Sequence, residues 1–402
     1  MRVLIKNGDI ISHSTSGKKD ILIEDNIIVD IAKNIKDDVD KIIDAEGLTI
    51  IPGIIDMHVH LREPGFEYKE TIESGLKAAV HGGVTTVGVM PNTSPAMDSL
   101  TTLQFVVEKS KRVNLAKVMP ISAITKERKG KDLVNIEEHI KNGFKFFSDD
   151  GSPVYDSEIM FKALKETKKY DGIVIDHCED SRFGNTPLFE SLNIARNIEI
   201  AKYLDAHIHI AHISTKNSID LLKYAKSNKI KATCEITFHH LLLENHGKSN
   251  PIYKINPPLP DKNTQKYLID NFEYIDIIIS DHAPHSMEEK SRDYNQAPPG
   301  ISGLDIFFPA IYTVSRKYNI PLSDIVEKVT YNPAKIFNLE KVGDIKTGYF
   351  ADITIVDLNS KWDGKIYSKG KNMPYKELEG KVVMTIVNGE IKYDERMNEN
   401  EM

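Results

Sequence analysis

The chain has 402 residues, with 52 Lys and Arg against 59 Asp and Glu and a formal net charge of -7. That length exceeds what one compact core usually holds, so a large domain with a smaller one is expected. The mixed charges offer no surface for nucleic acid or an anionic membrane, and the longest apolar stretches are too short to span a bilayer.

The first residues, Met1 to Gly8, read as a strand entering a turn rather than a charged segment before an apolar signal core. The two cysteines, Cys178 and Cys234, lie in apolar strand patterns, which suits a reducing compartment without structural disulfides. A cytoplasmic location is expected. Short alternating segments follow, at Val3-Leu4-Ile5, Asp20 to Glu24 and Ile27 to Ile31, and the style returns at Ala351 to Asp357 and Val382 to Ile391. These predict a small β-sandwich domain built from both termini, residues 1–50 and 345–402, around an insert of residues 51–344.

Within the insert, β-branched runs alternate with amphipathic stretches, the pattern of repeated βα units on a parallel sheet. Eight strands are predicted, near 50–56, 84–90, 115–121, 144–148, 172–177, 206–212, 230–236 and 275–281. Eight such units predict an α/β fold with a (β/α)8 TIM barrel. An open doubly wound sheet is disfavoured because no Gly-x-Gly-x-x-Gly turn follows the first strand.

In such a barrel the chemistry sits at the strand ends, so polar residues there matter most. His58 and His60 close the first strand, and their i, i+2 spacing points both imidazoles to one side. Asn92 follows the second strand, Asp149 and Asp150 the fourth; His177 closes the fifth, His212 the sixth and Asp281 the eighth. Four imidazoles and two carboxylates are a ligand set suited to zinc in a hydrolytic site, with room for two ions. A metal there lowers the pKa of its water to about 7, and a nearby carboxylate can relay the proton to a leaving nitrogen.

The motifs Asp56-Met57-His58-Val59-His60-Leu61-Arg62-Glu63-Pro64-Gly65, Met90-Pro91-Asn92-Thr93, Ser148-Asp149-Asp150-Gly151, Asp176-His177-Cys178-Glu179-Asp180, Ala211-His212-Ile213-Ser214-Thr215 and Ser280 to His285 resemble those of the dihydroorotases. The resemblance is to the bacterial type I branch of the amidohydrolase superfamily. It runs nearly end to end, including Asn256-Pro257-Pro258-Leu259 and the terminal β-domain. It implies reversible cyclisation of N-carbamoyl-L-aspartate to L-dihydroorotate, with two Zn²⁺ per subunit. By this resemblance His58 and His60 hold one zinc, His177 and His212 the other, Asp150 bridges them, and Asp281 is both ligand and proton shuttle. Arg62, Asn92 and His285 grip the substrate carboxylate beside His60, while Asn256, Pro299 and Gly300 close round the ring. A homodimer and an aspartate transcarbamoylase partner belong to the same expectation.

Electrostatics gives Arg62 an independent reason, since a site for an anionic substrate gains from a planar guanidinium that pairs bidentately with a carboxylate. A hydantoinase or allantoinase, acting on a neutral cyclic diamide, has no use for it. An inert scaffold of the same fold should have lost ligands, and none is missing. The segment Asp180 to Pro187 is shorter than the resemblance leads one to expect. Lys145 is expected on the solvent side rather than as a carboxylated bridge. His207 and His209 stand out of phase with His212 and are expected to face the helices. His239 and His240 are expected near the mouth in support of the ligands. His13, His81, His139 and His246 are expected to be ordinary polar residues, and Ser286 to Gly300 an irregular, mobile cover.

Overall fold

In a computed structural model, residues 1–184, 186, 188–245, 247 and 250–396 are described; the expectations that touch Asn185, Pro187 and His246 lie outside them. The N-terminal segment forms seven strands: β1 (Arg2–Lys6), β2 (Asp9–Ile11), β3 (Ser16–Lys18), β4 (Asp20–Glu24), β5 (Ile27–Ala32), β6 (Lys41–Asp44) and β7 (Thr49–Pro52). Eight barrel strands follow: β8 (Ile54–Val59), β9 (Val84–Val89), β10 (Lys117–Pro120), β11 (Phe146–Phe147), β12 (Ile173–Asp176), β13 (Ile208–Ile210), β14 (Ala232–Thr237) and β15 (Ile277–Ile279). The chain ends in β16 (Ile353–Lys361), β17 (Glu379–Val387) and β18 (Glu390–Asp394).

The terminal strands form two sheets, ordered β5-β4-β1-β6 and β18-β17-β16-β7-β2-β3. Isoleucines at alternate positions, among them Ile5, Ile21, Ile50, Ile353 and Ile386, fill one core between the sheets. The hairpin from β17 to β18 turns on Asn388 and Gly389, both at positive φ, which is what a two-residue turn between twisted strands demands. Both termini therefore build one β-sandwich.

The barrel strands pair in parallel from β8 to β10, with two register shifts between β8 and β9, and from β11 to β15. Bridges from Ser122 to Phe147 and from Val59 to His282 join the two arcs into a closed barrel. The first predicted strand, 50–56, is divided: Thr49–Pro52 pairs with β16 in the sandwich, and only Ile54–Val59 enters the barrel. Gly53 makes the crossing possible, because a Cβ there would lie 2.2 Å from Thr85 Oγ1. Inside the barrel, Ile55, Met57, Ile175 and Ile279 pack on Phe337, whose ring meets Phe146 edge-on at 5.3 Å. Among the described residues no helix is long and apolar enough to cross a membrane, and both cysteines are buried and free.

Between β16 and β17, residues 362–378 carry no strand and run to the barrel mouth, where Asn372 bonds the backbone of Ala283 and His285.

Phe337→Ala should cost about 3 to 5 kcal/mol in urea unfolding, since it empties the packed end of the barrel. A loss below about 1 kcal/mol would show that this end is not close-packed.

Candidate active site

At the C-terminal ends of the strands the imidazoles converge on one carboxylate. His58 Nε2 is 3.3 Å from Asp150 Oδ1 and His60 Nε2 is 3.5 Å from Asp150 Oδ2. On the other side His177 Nδ1 and His212 Nε2 lie 3.2 and 3.4 Å from Asp150 Oδ1. Asp281 closes the ring, its Oδ1 3.1 Å from His60 Nε2. Two groups able to hold a metal ion share Asp150: His58, His60 and Asp150, and Asp150, His177 and His212. Burial works against the charge on Asp150, yet His58, His177 and His212 hold it well below the usual carboxylate range.

The donor atoms fit a cation. His58 Nε2 is buried among the acids without a hydrogen-bond partner among the described residues, the position of a nitrogen that should meet a metal. Burial pushes the His58 imidazole down, but Glu235 and Asp150 outweigh it and raise it well above its ordinary value. The same acids would favour a metal ion in place of that proton.

The ring tautomers are set from outside the cluster. His58 Nδ1 donates to Glu235 Oε1 at 2.5 Å and His60 Nδ1 to Asn92 Oδ1 at 2.8 Å, so both rings present Nε2 inward. Glu235 was not singled out by the sequence, although a carboxylate midway along the buried strand Ala232–Thr237 is a signal that could have found it. Its other oxygen lies 3.1 Å from His209 Nε2. His209 therefore faces the barrel interior, against Phe337, and not the helices as expected. The phase argument fails because β13 ends at Ile210 and His212 adopts a φ of 26°, which turns its side chain inward as well. Arg62 and Asp281 likewise have positive φ, 59° and 44°, so three site residues hold strained backbone.

Above the cluster lies a cavity of about 230 Å³. Its lining contains every residue singled out for the site except His58, which is wholly buried beneath: His60, Arg62, Asn92, Asp150, His177, His212, Asn256, Asp281, His285, Pro299 and Gly300. Arg62 donates from Nε to Pro284 O at 3.2 Å and, among the described residues, makes no ion pair with a carboxylate within 4.0 Å. Burial lowers its pKa to about 10, which leaves it charged at neutral pH. His285 Nε2 donates to Pro299 O at 2.9 Å, while Lys69 Nζ donates to His285 Nδ1 at 3.2 Å. Burial, Arg62, Lys69 and Lys290 together press His285 far below the ordinary imidazole range, so it is neutral. Lys69 lay in no recognisable pattern and was missed. Asn256 is exposed at the mouth.

The segment Ser286 to Gly300 is not irregular throughout. Ser286 caps a helical turn, Met287–Lys290, through a capping box with Glu289. Lys290 is buried and donates to the carbonyls of Lys254, Pro298 and Gly300, which pins the segment. Asp149 turns away from the cluster and accepts from the backbone of Ile124 and Thr125. Lys145 is exposed. His239 and His240 are buried but bond Tyr375 and the Pro257 carbonyl, so His240 supports the Asn256 loop rather than a ligand. His207 bonds Thr233; His13 stacks on Tyr331, His81 packs on Tyr367, and His139 bonds Ser122.

Comparison with known proteins gives a consistent result. The model of a family described as Amidohydrolase family matches residues 49–392. The dihydroorotase of Aquifex aeolicus is 39% identical, over 98% of this chain and 99% of the relative. That of Elusimicrobium minutum is 41% identical, over 98% of each. Among solved structures, the L-hydantoinase (dihydropyrimidinase) from Arthrobacter aurescens superposes with a TM-score of 0.89 at 22% identity, over 98% of this chain and 96% of that one. At that identity the superposition speaks for the fold alone.

Glu235→Ala should weaken metal binding about 10- to 100-fold, because His58 loses the bond that orients its ring. Competition with a chromophoric chelator measures this, and an unchanged affinity would remove Glu235 from the site.

Proposed function

The chain belongs to the amidohydrolase family, and we propose that its reaction is the reversible cyclisation of N-carbamoyl-L-aspartate to L-dihydroorotate in pyrimidine synthesis. The observation that carries this reading is Arg62, a guanidinium without a carboxylate partner among the described residues, in the same cavity as the imidazole cluster. A substrate that combines a carboxylate with a cyclic amide satisfies both ends at once. A neutral cyclic diamide would leave Arg62 partly buried and unpaired, at the cost of its desolvation.

We assign two Zn²⁺ to the cluster; His58 and His60 would hold one, His177 and His212 the other, and Asp150, common to both groups, would serve each. Asp281 would be a further ligand. Zinc, when bound, supplies Lewis acidity and lowers the pKa of water toward about 7. The protein's own groups do the rest. Asp281, ionised and 3.1 Å from His60 Nε2, takes a proton from the attacking water and returns it to the departing ring nitrogen; ring closure runs the same transfers backwards. Arg62 meets the carboxylate with its planar fork. Asn92 spends its carbonyl on His60 and so keeps its amide N–H groups for the substrate. His285 supplies a neutral ring at the same end, and Asn256, Pro299 and Gly300 enclose the substrate ring.

The family resemblance also carries a homodimer, a cytoplasmic location and an aspartate transcarbamoylase partner into this proposal. We divide the chain into a terminal unit of residues 1–50 and 345–402 and a barrel unit of residues 51–344. The deciding experiment is hydrolysis of dihydroorotate by metal-replete protein. Turnover of hydantoin or dihydrouracil in its place would overturn the reading.

Arg62→Met should keep its metal and lose about 2 to 5 kcal/mol of transition-state binding, about thirtyfold to several thousandfold in kcat/KM for dihydroorotate. Near-normal efficiency would show that the carboxylate binds elsewhere. Asp281→Asn should retain metal while both directions fail, because one shuttle serves both. Hydrolysis that survives in this variant while ring closure disappears would contradict a single proton relay.

A further inference from the structure

We infer that Asn372, on the C-terminal segment that crosses the barrel mouth, is a positioning residue for the substrate-carboxylate side of the cavity. Its side chain is wholly buried. Oδ1 accepts from the His285 backbone N–H at 2.8 Å and from Ser302 Oγ at 2.7 Å. Nδ2 donates to Ala283 O at 3.1 Å and to Gly300 O at 3.0 Å. Those four bonds use the full capacity of a carboxamide, two donors and two acceptors, so no other residue type of this size can replace it.

Ala283, His285 and Gly300 all line the cavity, and they come from two loops beyond the named barrel strands, joined to each other by a bridge between His282 and Ile301 and to the barrel by one between Val59 and His282. Their buried peptide groups need partners, and one side chain provides them for both loops together. The neighbouring backbone is equally close: a Cβ on Gly370 would lie 2.9 Å from His285 N and 2.5 Å from Pro284 Cβ. The same segment reaches the catalytic side, since Ser368 bonds Glu70 and Glu70 lies 3.3 Å from His282 Nε2, next to Asp281. The position of His285 and Gly300 relative to Arg62 is therefore set by a residue far along the chain, which touches neither substrate nor metal.

The inference rests on the assignment of dihydroorotate as substrate. Its test compares Asn372→Ala and Gly370→Ala with the unaltered full-length, metal-replete protein, measuring kcat, KM for dihydroorotate, metal content and Tm. Asn372→Ala removes the four bonds, and Gly370→Ala keeps the carboxamide but pushes a methyl group against Pro284 and the His285 backbone, which must shift. Both should raise KM about tenfold or more, with kcat within about threefold and metal content unchanged, the signature of lost substrate binding. A purely structural asparagine would lower Tm alone, so unchanged KM in both variants overturns the proposal. Should Asn372→Ala fail to fold, Gly370→Ala decides by the same criterion. If the unaltered protein itself does not turn over dihydroorotate, the substrate assignment falls and this inference with it.

Discussion

Closure of the barrel between β8 and β15 is the constraint on which the site depends. The His60 N–H donates to His282 O at 2.9 Å, and deeper in the same seam Asp56 accepts from the Ser280 N–H at 3.3 Å and from its hydroxyl. Residues more than 220 positions apart in sequence are thereby neighbours. Without that seam Asp281 would not stand 3.1 Å from His60, and the first pair of imidazoles would lack its second carboxylate. Burial raises Asp56 to about 7, so the seam contains an acid that is only partly ionised near neutral pH and bonds serine comfortably in either form.

Much of this was legible in the sequence because strand ends carry local signals. His58 and His60 announce themselves by spacing, and His177, His212 and Asp281 each follow a β-branched run. Once eight such runs are counted, barrel geometry gathers their ends without knowledge of any loop. The errors came where regular geometry stops. The phase of His209 against His212 assumes a strand that continues, whereas β13 stops at Ile210 and the backbone turns over. The first barrel strand was placed too early because Thr49–Pro52 and Ile54–Val59 are equally apolar, and only Gly53 marks the change of sheet.

Residues that act through tertiary contact were not legible. Lys69, Lys290 and Asn372 lie in stretches without periodicity, and what each does depends on carbonyls or rings brought from elsewhere in the chain. Lys290 in particular reads as a surface lysine of a polar loop. Burial with three carbonyl acceptors makes it the pin of that loop, and the same burial brings its pKa down to about 8.

The cavity that results has opposite electrical character at its two ends. Its floor holds Asp150 and Asp281 with Glu235 behind them, a concentration of negative charge that makes sense when metal ions sit among the imidazoles. Its wall holds Arg62, with Lys69 and Lys290 near His285, and among the described residues neither carboxylate of the floor comes within 4.0 Å of the guanidinium. A ligand with a carboxylate at one edge and an amide at the other can satisfy both ends in only one orientation. With the substrate proposed above, the carboxylate would face the guanidinium and the amide carbon the floor, so the field of the cavity favours the pose in which Asp281 would reach the ring nitrogen.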